Sequence, residues 1–162
     1  MNNEINVLKQ AYQNEIEGYE FYRMGADSTD DKENQAIFEQ LANEELKHAD
    51  YLLDLADKIG GRKAELELDI ADFQPTDPQI YNWNRFDDTQ AKRALTIFNV
   101  ARGLEEEAIR FYEEAYANTT NDEAKQIYKI LIAWETVHYK QFDEQYRYYR
   151  DLFLRTLEVT AF

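Results

Sequence analysis

Two stretches decide how this chain reads: "FEQLANEELKHADYL" at residues 38–52 and "ILIAWETVHYKQF" at residues 130–142. They hold the chain's two histidines, His48 and His138. Each histidine has a glutamate three residues earlier, Glu45 and Glu135. On a helix, residues three apart share a face with Cβ atoms about 5–6 Å apart, so a carboxylate and an imidazole at that spacing can bind one metal ion. Apolar residues recur around both pairs at helical intervals. They are Phe38, Leu41, Leu52, Leu55 and Ile59 in the first stretch, and Ile127, Leu131, Phe142 and Leu152 in the second. Both glutamates therefore fall inside a core-facing stripe. An unpaired carboxylate buried there costs several kcal/mol or shifts its pKa until it is neutral.

The pattern extends backwards. Glu15 stands 33 residues before His48, and Glu105 stands 33 before His138. The two halves align at an offset of 90 residues without a gap, pairing Glu15 with Glu105, Tyr22 with Tyr112, Glu45 with Glu135 and His48 with His138. Leu41 also pairs with Leu131, and Ile37 with Ile127. Four carboxylates converging in one core make sense with cations between them, and two divalent ions offset four negative charges. A Glu from each of two helices and a Glu-x-x-His from each of the other two is the ligand set of di-iron carboxylate bundles. We expect the metal ligands to be Glu15, Glu45, His48, Glu105, Glu135 and His138. Surface Glu–His pairs are the plainer alternative.

Tyr22 and Tyr112 lie two turns beyond Glu15 and Glu105. They read either as packed aromatics or as hydroxyls bonded to ligand carboxylates. Gly18 and Ala108, three after those glutamates, either leave room beside the metals or let helices pack closely. "YRYY" at Tyr146–Tyr149 reads as covering an interface.

The composition agrees with a helical reading. Gly 5 and Pro 2 are low for 162 residues, and 44% of the chain is hydrophobic, enough for one domain with a full core. The absence of cysteine excludes disulfides, thiol catalysis, and iron–sulfur or rubredoxin-type centres. A net charge of −15 repels phosphate backbones and anionic lipid, so neither nucleic acid nor membrane is an expected partner. No stretch is long and apolar enough to span a bilayer, and "MNNEINVLKQ" does not read as a signal peptide. The cytoplasm is the expected compartment.

Four helices are predicted, over about 3–26, 32–59, 88–117, and 122 to near the C-terminus. The stripe of the first is Leu8, Tyr12, Tyr19 and Tyr22. "DSTDDKEN" and "NTTND" supply turns and caps, and Gly60–Gly61 closes the second helix. The fold expected is all-α. Two antiparallel hairpins, joined by a crossover over about 60–87, form a four-helix bundle as a single domain over 1–162. The second helix is about 40 Å long at about 1.5 Å per residue, a length the crossover can span.

With these motifs in hand, the chain resembles the rubrerythrin branch of the ferritin-like superfamily. "NEIEGYEFY" (14–22) and "LEEEAIRFY" (104–112) resemble that family's first-helix and third-helix motifs, and the two opening stretches resemble its second and fourth. Two departures stand out. Rubrerythrins proper carry a C-terminal rubredoxin domain with four cysteines, and this chain has none. They also carry a further glutamate on the third helix, used in ligand exchange, where this chain has Ala108.

The resemblance implies an oxidoreductase with two iron ions, although manganese or zinc could occupy the site. It would reduce hydrogen peroxide or dioxygen with electrons from an external donor such as a rubredoxin-like protein. Such a protein is expected as a homodimer. Rival expectations are a ferroxidase that handles iron, a substrate oxygenase, and a binding protein in which metals only offset core carboxylates.

Overall fold

The computed structural model describes residues 2–59 and 91–160. Among them are four helices and no strand: α1 (Asn2–Asp27), α2 (Lys32–Ile59), α3 (Ala91–Asn118) and α4 (Asp122–Thr160). The expected crossover over about 60–87 lies outside the described residues, as do 88–90 at the expected start of the third helix.

The two tight turns are built alike. Asp31 caps α2: its carboxylate accepts from the backbone N–H of Glu33 and Asn34 at 3.0 and 2.9 Å. Asn121 caps α4 by accepting from Ala124 N–H at 2.9 Å. Thr29 and Thr119 each accept the N–H of the residue two further on. Each cap satisfies donors that a helix start would leave orphaned, worth about 1 kcal/mol apiece.

Both turns make hairpins, with α1 packed on α2 and α3 on α4; the hairpins meet through α1 with α3 and α2 with α4. Gly25 explains how closely α1 approaches α2, since a Cβ at that position would come within 2.8 Å of the Phe38 ring.

The core is split. One apolar cluster holds Tyr22, Phe38, Leu41, Phe98, Phe142 and Tyr149. The other holds Leu8, Leu52, Leu55, Tyr112, Ile127 and Leu131. The first cluster takes the C-terminal parts of α1 and α4 and the N-terminal parts of α2 and α3, and the second takes the opposite ends. Thus α2 finishes at one end of the bundle and α3 begins at the other, which is the all-α four-helix arrangement expected from the sequence.

One detail differs from expectation. In α1 the buried stripe is Leu8, Ala11, Glu15, Tyr22 and Ala26, while Tyr12 and Tyr19 are only half-buried. Small residues win these positions because the helices approach closely there. In "YRYY", Tyr149 turns inward and stacks on Phe98 at 5.8 Å, whereas Tyr148 is exposed.

Candidate metal centre

Between the two apolar clusters the core becomes polar. Glu15, Glu45, His48, Glu105, Glu135 and His138 are all buried, each at most 4% exposed. The helices place them by their periodicity: α2 and α4 each supply a Glu-x-x-His pair, and α1 and α3 each supply one glutamate. Their ligand atoms fall into two groups. Glu15, Glu45, His48 and Glu135 form one; Glu45, Glu105, Glu135 and His138 form the other. Within each group the atoms lie within 4.8 Å of one another. The structure therefore brings together all six residues singled out from the sequence.

Glu45 and Glu135 belong to both groups, and their oxygens are divided accordingly. Glu135 presents Oε1 to His48 Nδ1 and Oε2 to His138 Nδ1, each at 3.2 Å. Glu45 presents Oε2 to His48 Nδ1 at 3.4 Å and Oε1 to His138 Nδ1 at 3.8 Å. Glu15 approaches only His48, at 3.0 Å, and Glu105 only His138, at 3.8 Å. Two cations held here would share Glu45 and Glu135, and Glu15 and Glu105 would each serve one. Two atoms each about 2.1 Å from a common ion, at about 90–110° to each other, are separated by roughly 3.0–3.4 Å, and most of these spacings fall in that interval.

The electrostatics also call for cations. Burial pushes the carboxyls of Glu45 and Glu105 well above the usual range, and the Glu135 charge pushes them further. Burial opposes ionisation of Glu135 too, but His48 and His138 on either side hold it well below that range. Burial alone would lower both imidazoles. The surrounding carboxylates, Glu135 foremost, raise them instead. Glu45 Oε1, fully enclosed, has no hydrogen-bond partner among the described residues. Such an orphan is costly in a core, and a divalent ion satisfies it. The donor set of oxygens and imidazole suits iron, manganese or zinc.

Tyr22 and Tyr112 complete the shell. The Tyr22 hydroxyl donates to Glu105 Oε1 and the Tyr112 hydroxyl to Glu15 Oε1. Each bond crosses between hairpins. Both readings of these tyrosines therefore hold, since each ring packs in an apolar cluster while its hydroxyl faces the site. Burial first, then the neighbouring carboxylates, holds both phenols well above their usual range, so they remain protonated donors.

A cavity of about 360 Å³ opens on the site between α1 and α3. Glu15, Glu45, Glu105 and Glu135 line it, with Gly18, Ala108 and Phe111 among its walls. A Cβ on Gly18 would touch the Glu45 side chain at 3.4 Å, so Gly18 and Ala108 leave the space that the sequence suggested.

Sequence reasoning missed two neighbours of the histidines. Glu44, 4% exposed, accepts a hydrogen bond from His138 Nε2 at 3.0 Å. Trp134 meets the His48 ring edge-on, with centroids 4.8 Å apart. Glu44 stands four residues before His48 and Trp134 four before His138, so the repeat places them in equivalent positions with unlike chemistry. That mismatch at the 90-residue offset was the available signal.

No curated protein and no solved structure matches the chain. The rubrerythrin family profile matches residues 6–146, a span that contains all six clustered side chains and both tyrosines. The chain belongs to the rubrerythrin family.

Proposed function

We propose that this protein is a di-iron oxidoreductase that reduces hydrogen peroxide, with Glu15, Glu45, His48, Glu105, Glu135 and His138 as the ligands. The observation that carries the reading is the division of Glu45 and Glu135, one oxygen of each towards either histidine, on the floor of a cavity open to small reactants. Two ferrous ions held there would supply one electron each. Peroxide reduction consumes two electrons and two protons, breaks the O–O bond and yields two waters. An external one-electron donor, a rubredoxin-like protein in chemical class, restores the reduced state, since the chain has no cysteine for such a centre of its own.

The chain's own residues set the conditions. The buried carboxylates of Glu45 and Glu135 would hold two cations within reach of one small molecule. Tyr22 and Tyr112 fix the terminal carboxylates by donating to one oxygen of each; in Glu15 this leaves Oε2, the oxygen that faces His48, for a cation. Gly18 and Ala108 hold open the entry side, while the histidines close the opposite side. Among the described residues no helix is long and apolar enough to cross a membrane; the cytoplasm is the compartment we propose. The homodimer expected from the resemblance is part of the same proposal and is read by light scattering.

The test is anaerobic loading with ferrous iron, then rapid mixing with hydrogen peroxide or dioxygen. Two ions per chain, oxidised faster by peroxide than by dioxygen, support the reading. Faster oxidation by dioxygen with ferric accumulation would move the assignment to ferroxidase chemistry. Two bound ions that neither oxidant touches would make the site structural.

A further inference from the structure

The repeat makes the two halves of the site alike except beyond the histidines. His138 turns Nδ1 towards Glu45, Glu105 and Glu135, and donates from Nε2 to the buried Glu44 carboxylate at 3.0 Å. Glu44 is itself held, because its other oxygen accepts from Gln40 at 3.2 Å. His48 likewise turns Nδ1 towards Glu15, Glu45 and Glu135. Its Nε2, however, is enclosed and has no hydrogen-bond partner among the described residues, and neither has Nε1 of Trp134, whose ring meets the His48 ring edge-on.

We infer that Glu44 makes the two metal positions unequal, so that the position served by His138 takes its divalent cation first and more tightly than the position served by His48. The inference rests on the metal-site reading above. A metal bound at Nδ1 requires the ring proton at Nε2. In His138 that tautomer is favoured by geometry, because a Glu44 oxygen lies 3.0 Å from Nε2 and offers its proton an acceptor. The same hydrogen bond orients the imidazole and makes it a stronger donor to a cation. In His48 the metal-binding tautomer places an N–H in an enclosed spot without an acceptor, which disfavours it. The two bridging glutamates are shared, and Glu15 and Glu105 are equivalent in type and burial, so they leave this bias in place. Glu44 is a positioning residue: it touches the ligand, not the reactant.

The test uses cobalt(II) as probe on the full chain. Calorimetric titration is expected to show two steps at least about tenfold apart, and crystals given one equivalent are expected to place the anomalous cobalt signal beside His138. E44A should weaken the tighter step about 10–100-fold and leave the weaker step in place, and E44Q should do so by less. W134E, which restores a carboxylate at the equivalent position, should tighten the weaker step. Two equal steps, a first ion beside His48, or an E44A variant that shifts neither step or both steps equally would overturn this inference while leaving the two-metal reading intact. Absence of cobalt binding would overturn both. The wild-type crystal measurement holds even if a variant fails to fold.

Discussion

Tyr112 on α3 donates its hydroxyl to the Glu15 carboxylate on α1, and its repeat partner Tyr22 donates in the other direction, from α1 to Glu105 on α3. The two hairpins, which meet far less extensively than the helices within each, are thus joined by two buried bonds to ionisable acceptors. Y112F and Y22F keep the ring and remove only the donor. Each is expected to destabilise the protein by about 1–3 kcal/mol, the cost of leaving a buried polar group without its partner. Urea denaturation measures this. A loss below about 0.5 kcal/mol in both variants would mean that the bonds do not persist in solution.

Stability and metal binding should trade against each other at Glu45. Its carboxyl is enclosed, next to Glu135, with one oxygen lacking a partner. E45Q removes that charge at constant shape. The metal-free variant should melt higher than metal-free wild type, by an amount on the order of 1–3 kcal/mol, while its response to added metal is lost. Thermal melts with and without ferrous or zinc ions read both parts at once.

The pH dependence of the metal-free protein has a definite sign. Glu45, Glu105, His48 and His138 all have folded pKa values raised above their ordinary 4.5 and 6.5. A raised group contributes stability below its unfolded pKa and loses it as pH rises through the folded value. Glu135, held low, works the other way, but its contribution is lost only as pH falls below 4.5. Above that value the metal-free protein should become less stable with rising pH. Metal binding displaces the same protons, so the stabilisation by metal should grow over the same interval. Melts from weakly acidic to weakly alkaline pH, with chelator or with metal, should therefore diverge; parallel curves would contradict the assignment of these groups.

Two glycines of α1 should respond differently to one added methyl group. At Gly25 the new Cβ would sit 2.8 Å from the Phe38 ring, so G25A must shift a packed aromatic and is expected to cost about 1–3 kcal/mol. At Gly18 the Cβ would lie 3.4 Å from Glu45 Cγ, an ordinary contact. G18A should fold and bind metal normally but slow peroxide oxidation of the ferrous protein by narrowing the cavity. Equal melting temperatures for G25A and wild type would show that α1 and α2 are further apart than described.

The features legible in the sequence were those carried within one helix. Glu45–His48 and Glu135–His138 are three apart, so their shared face follows from helical geometry. The starts of α2 and α4 follow from Asp31 and Asn121, whose caps act over two or three residues. The role of Glu44 was not legible, because its partner His138 is 94 positions away on another helix. The α1 stripe was misjudged for a related reason. Tyr12 and Tyr19 looked like core by hydrophobicity, but where helices press together Ala11 and Ala26 fill the space and large rings are pushed to the margin. The tyrosine bonds to Glu15 and Glu105 were legible as a choice between two roles, and their crossing between hairpins was not.

Each ligand group draws on both hairpins: Glu135 of α4 joins Glu15, Glu45 and His48, and Glu45 of α2 joins Glu105, Glu135 and His138. This orders assembly in time. Each hairpin can form early from contacts local in sequence, but neither alone offers a complete cation position. An ion held at either position would therefore gain its full ligand set only after docking. Ions seated there would tie separation of the hairpins to the loss of those ligands.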